Sequence, residues 1–171
     1  MSSNPESDRV LEAFASELAS LALAEGWSLV RLVAGNADRA FELRSPESLI
    51  AFTAHLSQSA NGFWGLTPDK SAEFLRDRRE HLVLLRTASS GYFLSNPALQ
   101  RLMPRFSVHK LTGAVKINEG VIRAQPRFRD VDDLWELLKV RSVARAPLLA
   151  LQHSAAQLNA RFARSVHRVC S

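Results

Sequence analysis

The chain has 171 residues, of which 46% are hydrophobic and 23% charged, so it suits one folded domain and not a disordered polypeptide. Its only cysteine, Cys170, cannot form an intramolecular disulfide or a cysteine-based zinc site, and no apolar run approaches the length of a membrane span. We therefore predict a cytoplasmic protein with no membrane partner. Its formal net charge is +5.

The first part of the chain predicts one helix followed by three strands. Residues 1–8 are polar and acidic, which predicts a disordered leader and not a signal peptide. Apolar residues recur at helical spacing over residues 9–25, and Gly26 is a natural helix end. Strands are predicted at 28–33, 39–44 and 49–56, and the short turns between them require antiparallel neighbours.

The next part of the chain predicts an alternation of helices and strands. Residues 63–66 form an apolar plug, and Thr67 and Pro68 then begin a helix that ends near residue 79. The later elements are a strand pair at 81–86 and 92–94, a short helix at 96–103, a strand at 114–118 and a helix at 130–138. Residues 9–138 are therefore predicted to form an α+β domain with a central, mainly antiparallel sheet flanked by helices.

The net charge belongs to the last part of the sequence. Residues 139–171 contain six basic residues and no acid, whereas residues 1–138 contain 16 basic and 17 acidic residues. We predict a basic, amphipathic C-terminal helix over residues 139–171. The candidate nucleic-acid contacts on this segment are Arg141, Arg145, Arg161, Arg164 and Arg168.

The same segment carries an apolar seam. Apolar residues alternate at three- and four-residue steps, a heptad pattern over about three repeats. The candidate interface residues are Leu148, Leu151, Leu158, Phe162 and Val169. The seam could pack on the protein's own core, form a homodimer or contact a partner helix, and the arginines could bind the phosphates of DNA or RNA.

No sequence motif in the chain names a reaction. There is no Walker A loop, no G-x-G-x-x-G and no G-x-S-x-G, and the five histidines lack metal-ligand spacing. We predict no metal site and no cofactor from these residues. His55, at the end of an apolar strand, is interpreted as a core or edge histidine with its hydrogen bonds satisfied.

The predicted helix–meander–helix–strand order resembles the core of the PD-(D/E)XK nuclease superfamily, which has the restriction-endonuclease-like fold. The resemblance covers residues 9–138 and rests on topology and spacing. Residues 63–66, 81–86, 91–92 and 116–118 also look like the segments that come after that core in some nuclease-like bacterial proteins.

The resemblance implies an acid on the second strand of the meander and an acid-x-lysine on the third. Residues 49–56 contain no acid and no lysine, and the nearest match is Glu42-Leu43-Arg44, preceded by Asp38. Asp38, Glu42 and Arg44 are therefore the candidate catalytic residues, but an arginine would be a poor base. A degenerate, non-cleaving scaffold that associates with nucleic acid is the leading hypothesis. The alternatives are a protein-interaction or assembly module and an active nuclease, which would require Mg²⁺.

Overall fold

The computed structural model describes residues 5–32, 39–57, 59, 62–77 and 79–144. In chain order these residues form α1 (Pro5–Ala24), β1 (Ser28–Leu32), β2 (Ala40–Arg44), β3 (Ser48–Leu56), β4 (Phe63–Leu66), α2 (Pro68–Arg76), β5 (Glu80–Leu85), β6 (Gly91–Leu94), α3 (Asn96–Leu102), a 3₁₀ turn (Met103–Arg105), β7 (Ser107–Val108), β8 (Val115–Asn118), α4 (Glu119–Ile122), β9 (Arg127–Phe128), α5 (Val131–Lys139) and β10 (Val143–Ala144).

The main sheet has the strand order β1-β2-β3-β5-β6-β9, and β10 pairs with the start of β3. Strands β1, β2 and β3 form the predicted antiparallel meander. Strand β5 runs parallel to β3 from the Ala51–Glu80 pair to the Leu56–Leu85 pair, so α2 lies in a crossover connection. The predicted α+β class is confirmed, and the helix–meander–helix–strand order that carries the resemblance is present.

The main sheet buries apolar side chains on both faces. On one face, alternate residues such as Phe41, Phe52 and Val83 pack in a core with α1 and α5. On the other face, Leu82 and Leu84 of β5 belong to a second core. Strand β5 is buried at all six positions because it contributes to both cores.

The second core is closed by a small sheet that the sequence did not predict. Residues 63–66, expected to form an apolar plug, form β4, which pairs with β8, and β8 pairs with β7. Trp64 is fully buried and its indole N–H donates to the Leu85 carbonyl at 3.0 Å. The prediction of one central sheet was therefore incomplete, because backbone pairing with a strand about 50 residues later completes β4.

A buried asparagine joins three elements beside the main sheet. Asn96, at the start of α3, is 1% exposed, and its side-chain amide donates to the carbonyls of Phe74, Asp77 and Glu80 at 3.1, 2.9 and 2.9 Å. Its backbone N–H donates to Nδ1 of His81 at 3.0 Å. Asn96 thus ties the end of α2 and the start of β5 to α3.

Several predicted boundaries shift. Helix α1 begins at Pro5, inside the predicted leader, and α2 ends at Arg76. Helix α5 ends at Lys139 and β10 joins the sheet beyond it, so the α+β domain extends past residue 138 to at least Ala144. The rest of the predicted C-terminal helix, residues 145–171, lies outside the described residues. Within the ranges that the structure does describe, no helix is long and apolar enough to cross a membrane.

We expect Asn96→Ala to lower the free energy of unfolding by roughly 2–3 kcal/mol, because it removes the amide donors and leaves buried carbonyls unsatisfied. Urea unfolding followed by tryptophan fluorescence measures the change. Asn118→Ala is the matched control, since Asn118 is exposed and makes no capping hydrogen bond. Equal unfolding midpoints for the two variants would contradict this role for Asn96.

Candidate functional site

Two of the three predicted catalytic residues lie together on β2. Glu42 and Arg44 face away from the α1 core, and Arg44 Nε donates to Glu42 Oε2 at 2.8 Å. Both side chains are partly buried, with 20% and 40% exposure. The third residue, Asp38, lies outside the described residues. Glu42 is thus held by its own strand neighbour in an ion pair.

Strand β3 places no acid or lysine beside Glu42. Glu42 pairs with Ala51, and the two residues of β3 that share its face at this level are Ala51 and Thr53. The third strand of the meander therefore offers a methyl group and a hydroxyl group where the resemblance implies an acid and a lysine.

An acid and a lysine reach the same face from other elements. Glu80 opens β5 in register with Ala51, is 8% exposed, and accepts hydrogen bonds from the Thr53 hydroxyl and from Lys70 Nζ, the latter at 2.9 Å. Lys70, in the first turn of α2, also binds Glu73 at 2.9 Å. We call Thr53, Lys70 and Glu80 the Glu80 cluster.

His55 lies next on this face of β3. Its Nε2 atom is buried and has no hydrogen-bond partner among the residues that the structure describes, contrary to the interpretation of a satisfied histidine. Burial, with the positive charges of Arg39 and Lys70, lowers the pKa of His55 to about 3. His55 therefore adds no positive charge to this face near neutral pH.

The Glu80 cluster is the part of the site that sequence reasoning missed. Its members come from β3, α2 and β5, so no local spacing joins them. One signal was present: Glu80 opens a strand that is apolar from Leu82 to Leu85, and a charged residue at the start of a buried strand needs a partner. The sequence does not indicate which lysine supplies that partner.

The described acids that could bind a divalent metal on this face are Glu42 and Glu80, and the predicted catalytic residue Asp38 lies outside the described residues. Carboxylate oxygens about 2.1 Å from one Mg²⁺ must converge. Glu42 and Glu80 are separated by the intervening strand β3, about 10 Å between backbones. Glu42 binds Arg44 and Glu80 binds Lys70. The described ranges contain no group of three potential metal ligands.

The predicted nucleic-acid and interface residues lie almost entirely beyond the described ranges. Arg141 is exposed in the turn between α5 and β10. The other candidates, Arg145, Arg161, Arg164 and Arg168 and the seam residues Leu148, Leu151, Leu158, Phe162 and Val169, are in residues 145–171 and stay predictions.

The comparison with solved structures gives a likeness in fold. The chain is similar to the Holliday junction resolvase Hjc of the archaeal hyperthermophile Archaeoglobus fulgidus, with a TM-score of 0.44 and 14% identity over 73% of this chain and 94% of that one. No protein-family model matches the sequence. No curated protein sequence matches it either.

We expect Lys70→Met to destabilise the protein by roughly 3 kcal/mol, because it leaves the Glu80 carboxylate buried without its cation. Adding Glu80→Gln should recover most of this loss, since the double variant buries no unpaired charge. Urea unfolding of both single variants and the double variant gives the coupling. Arg129→Met, which removes an exposed ion pair with Asp133, is the control and should change little. Additive effects at Lys70 and Glu80 would contradict the buried pair.

We expect acid to destabilise the folded state through His55. Its pKa is about 3 when folded and 6.5 otherwise, so below pH 6.5 the unfolded chain binds the proton more strongly than the folded one. This contribution is complete above pH 6.5 and declines by about 1.4 kcal/mol per pH unit down to about pH 3.

His55→Gln removes this titration, so its unfolding free energy should fall less between pH 7 and pH 4.5 than that of the wild type. His109→Gln, in the β7–β8 loop, is the control. Parallel pH profiles for the wild type and His55→Gln would show that His55 is not the buried neutral group.

Proposed function

We propose that this protein is a cytoplasmic, non-catalytic nucleic-acid-binding protein built on a nuclease-like α+β scaffold, with the arginines of residues 141–171 contacting phosphates. The alternative of an active nuclease has less support, and nothing in the described residues bears on the assembly alternative.

The observation that carries the proposal is an excess of exposed arginines over available carboxylates. Five exposed arginines in the C-terminal half of the described chain form no ion pair with any carboxylate that the structure describes: Arg101, Arg105, Arg123, Arg127 and Arg141. Three of the nearby acids are paired elsewhere, since Glu119 binds Arg86, Asp133 binds Arg129 and Glu136 binds Lys139. The exposed Asp132 forms no ion pair among the described residues, so the arginines still outnumber the available carboxylates.

The sequence beyond Ala144 extends this imbalance. Residues 145–171 add four arginines and no acid. Cations that are not neutralised by neighbouring carboxylates attract polyanions and release condensed counterions when they meet phosphates. The strand pair β10–β3 holds residues 143–144, which precede these arginines, against the main sheet.

The proposal of a non-catalytic protein is supported by the face that carries Glu42. Its acids are neutralised by Arg44 and Lys70, and the third meander strand has Ala51 and Thr53 at the relevant positions. An arginine at position 44 can hold an anion, but arginine is a poor base for removing a proton from water.

Fluorescence anisotropy with labelled DNA and RNA oligonucleotides, at about 50 and 200 mM salt, tests the proposal. We expect affinity to fall steeply with salt, because phosphate contacts release counterions. The full-length variant Arg161→Ala/Arg164→Ala/Arg168→Ala should bind more weakly, with the slope of log K against log[salt] reduced by roughly 0.7–0.9 for each phosphate that is no longer neutralised. Arg9→Ala, on α1, is a control for loss of charge alone.

Incubation of the same nucleic acids with Mg²⁺ or Mn²⁺ tests the non-catalytic part. We expect no cleavage, and Glu42→Gln should bind like the wild type. Absence of binding at low salt would refute the function. Metal-dependent cleavage that Glu42→Gln abolishes would replace it with the nuclease alternative.

A further inference from the structure

A groove of about 300 Å³ lies between α3, the segment before β9 and the turn after α5. Its lining includes two arginines, two uncharged polar residues and four apolar residues: Arg101, Arg141, Ser95, Gln125, Phe93, Pro97, Ala98 and Pro126. The volume is at the lower end of the range for ligand sites.

The groove carries positive charge without a compensating acid. Arg101 and Arg141 come from elements 40 residues apart in sequence, and both are exposed. Among the described residues, no carboxylate lines the groove. The nearest acid along the chain on the α5 side, Glu136, forms an ion pair with Lys139, which also binds Glu25. Two guanidinium groups at one concave site suit a phosphate, because each offers parallel N–H donors.

The uncharged residues add hydrogen-bond donors to the groove and form its buried base. Ser95 precedes α3, and its hydroxyl makes no capping hydrogen bond. Gln125 adds a side-chain amide at the opposite wall. The buried Phe93 ring forms part of the floor, and Phe93 N–H donates to the Pro126 carbonyl at 2.9 Å, which fixes the two walls relative to each other.

A buried histidine positions Arg141. His81 accepts the Asn96 N–H through Nδ1, and its ring also hydrogen-bonds the backbone of Arg141. Burial, followed by the charge of Arg141, lowers the pKa of His81 to about 4, so His81 stays neutral at physiological pH. The backbone of Arg141 is therefore connected through His81 to β5 and α3.

We propose that Arg101 and Arg141 form a phosphate-binding site in this groove, which takes one phosphodiester of a nucleic-acid strand. This inference rests on the proposed function and names a contact point on the folded domain, separate from residues 145–171. Ser95 and Gln125 supply neutral donors to the same phosphate or to its sugar.

The test compares full-length Arg101→Ala, Arg141→Ala and the double variant with Arg9→Ala in the anisotropy assay. Arg9 is an exposed residue of α1, 15 positions before its last residue and about 22 Å along that helix. Arg101→Ala and Arg141→Ala should each weaken binding several-fold, uniformly across sequences, and the double variant should lower the salt slope by roughly 1–2. Arg9→Ala should bind like the wild type.

A thermal melt of each variant shows whether it is folded, and Arg101→Lys, which keeps the charge but loses the paired donors, should be intermediate in affinity. A titration with pyrophosphate, followed by amide NMR, tests whether the groove also binds a phosphate that is not part of a nucleic acid. Shifts near Ser95 and Gln125 that Arg101→Ala abolishes support the site.

The outcomes separate the two proposals. If the tail variant loses binding while Arg101→Ala and Arg141→Ala match Arg9→Ala, the groove is refuted and the proposed function stands. If no nucleic acid binds but pyrophosphate shifts the groove, the site stands for a free phosphate compound and the proposed function fails. Absence of both responses overturns both.

Discussion

The parallel pairing of β3 with β5 is the constraint on which the rest of the structure depends. It places a strand that is buried at every position in the middle of the sheet, so both faces must be covered. Helices α1 and α5 cover one face, and α2, α3 and the small β4–β8–β7 sheet cover the other. The crossover through α2 also brings Lys70 over the sheet, where Glu80 needs a cation.

Two surfaces of the domain differ in how their charges are compensated. On the face that carries Glu42 and Glu80, the charges of the Glu80 cluster and of the Glu42–Arg44 pair cancel locally, which leaves little electrostatic field for a further anion or cation. Arg101 of α3 and Arg141 of the turn after α5 instead line an open groove that no described carboxylate lines. The charges of the Glu42 face are thus compensated by neighbours, whereas those of the groove are not compensated by any described residue of its lining.

Local patterns predicted most of the fold, and long-range pairing accounts for the elements they missed. Apolar stretches separated by short turns predicted the β1–β2–β3 meander. The N-cap residues Thr67 and Asp130 predicted the starts of α2 and α5. Strands β7, β9 and β10 have two residues each, too few to carry a pattern. The Glu80 cluster joins residues 10 and 27 positions apart, and the Arg101–Arg141 groove joins residues 40 apart. Such sites depend on tertiary packing, which sequence spacing does not encode.

The contact between the two ends of the domain has a consequence for how the chain reaches its folded state. Lys139 Nζ binds the Glu25 carboxylate at 3.0 Å and Trp135 N–H donates to the same group at 2.8 Å, across more than 100 residues. Closing so large a loop is entropically slow, and the side of α1 that packs on α5 stays uncovered until α5 has been synthesised. During translation, the core on this face of the sheet is therefore incomplete until α5 is available, and apolar surface exposed in such an intermediate favours aggregation.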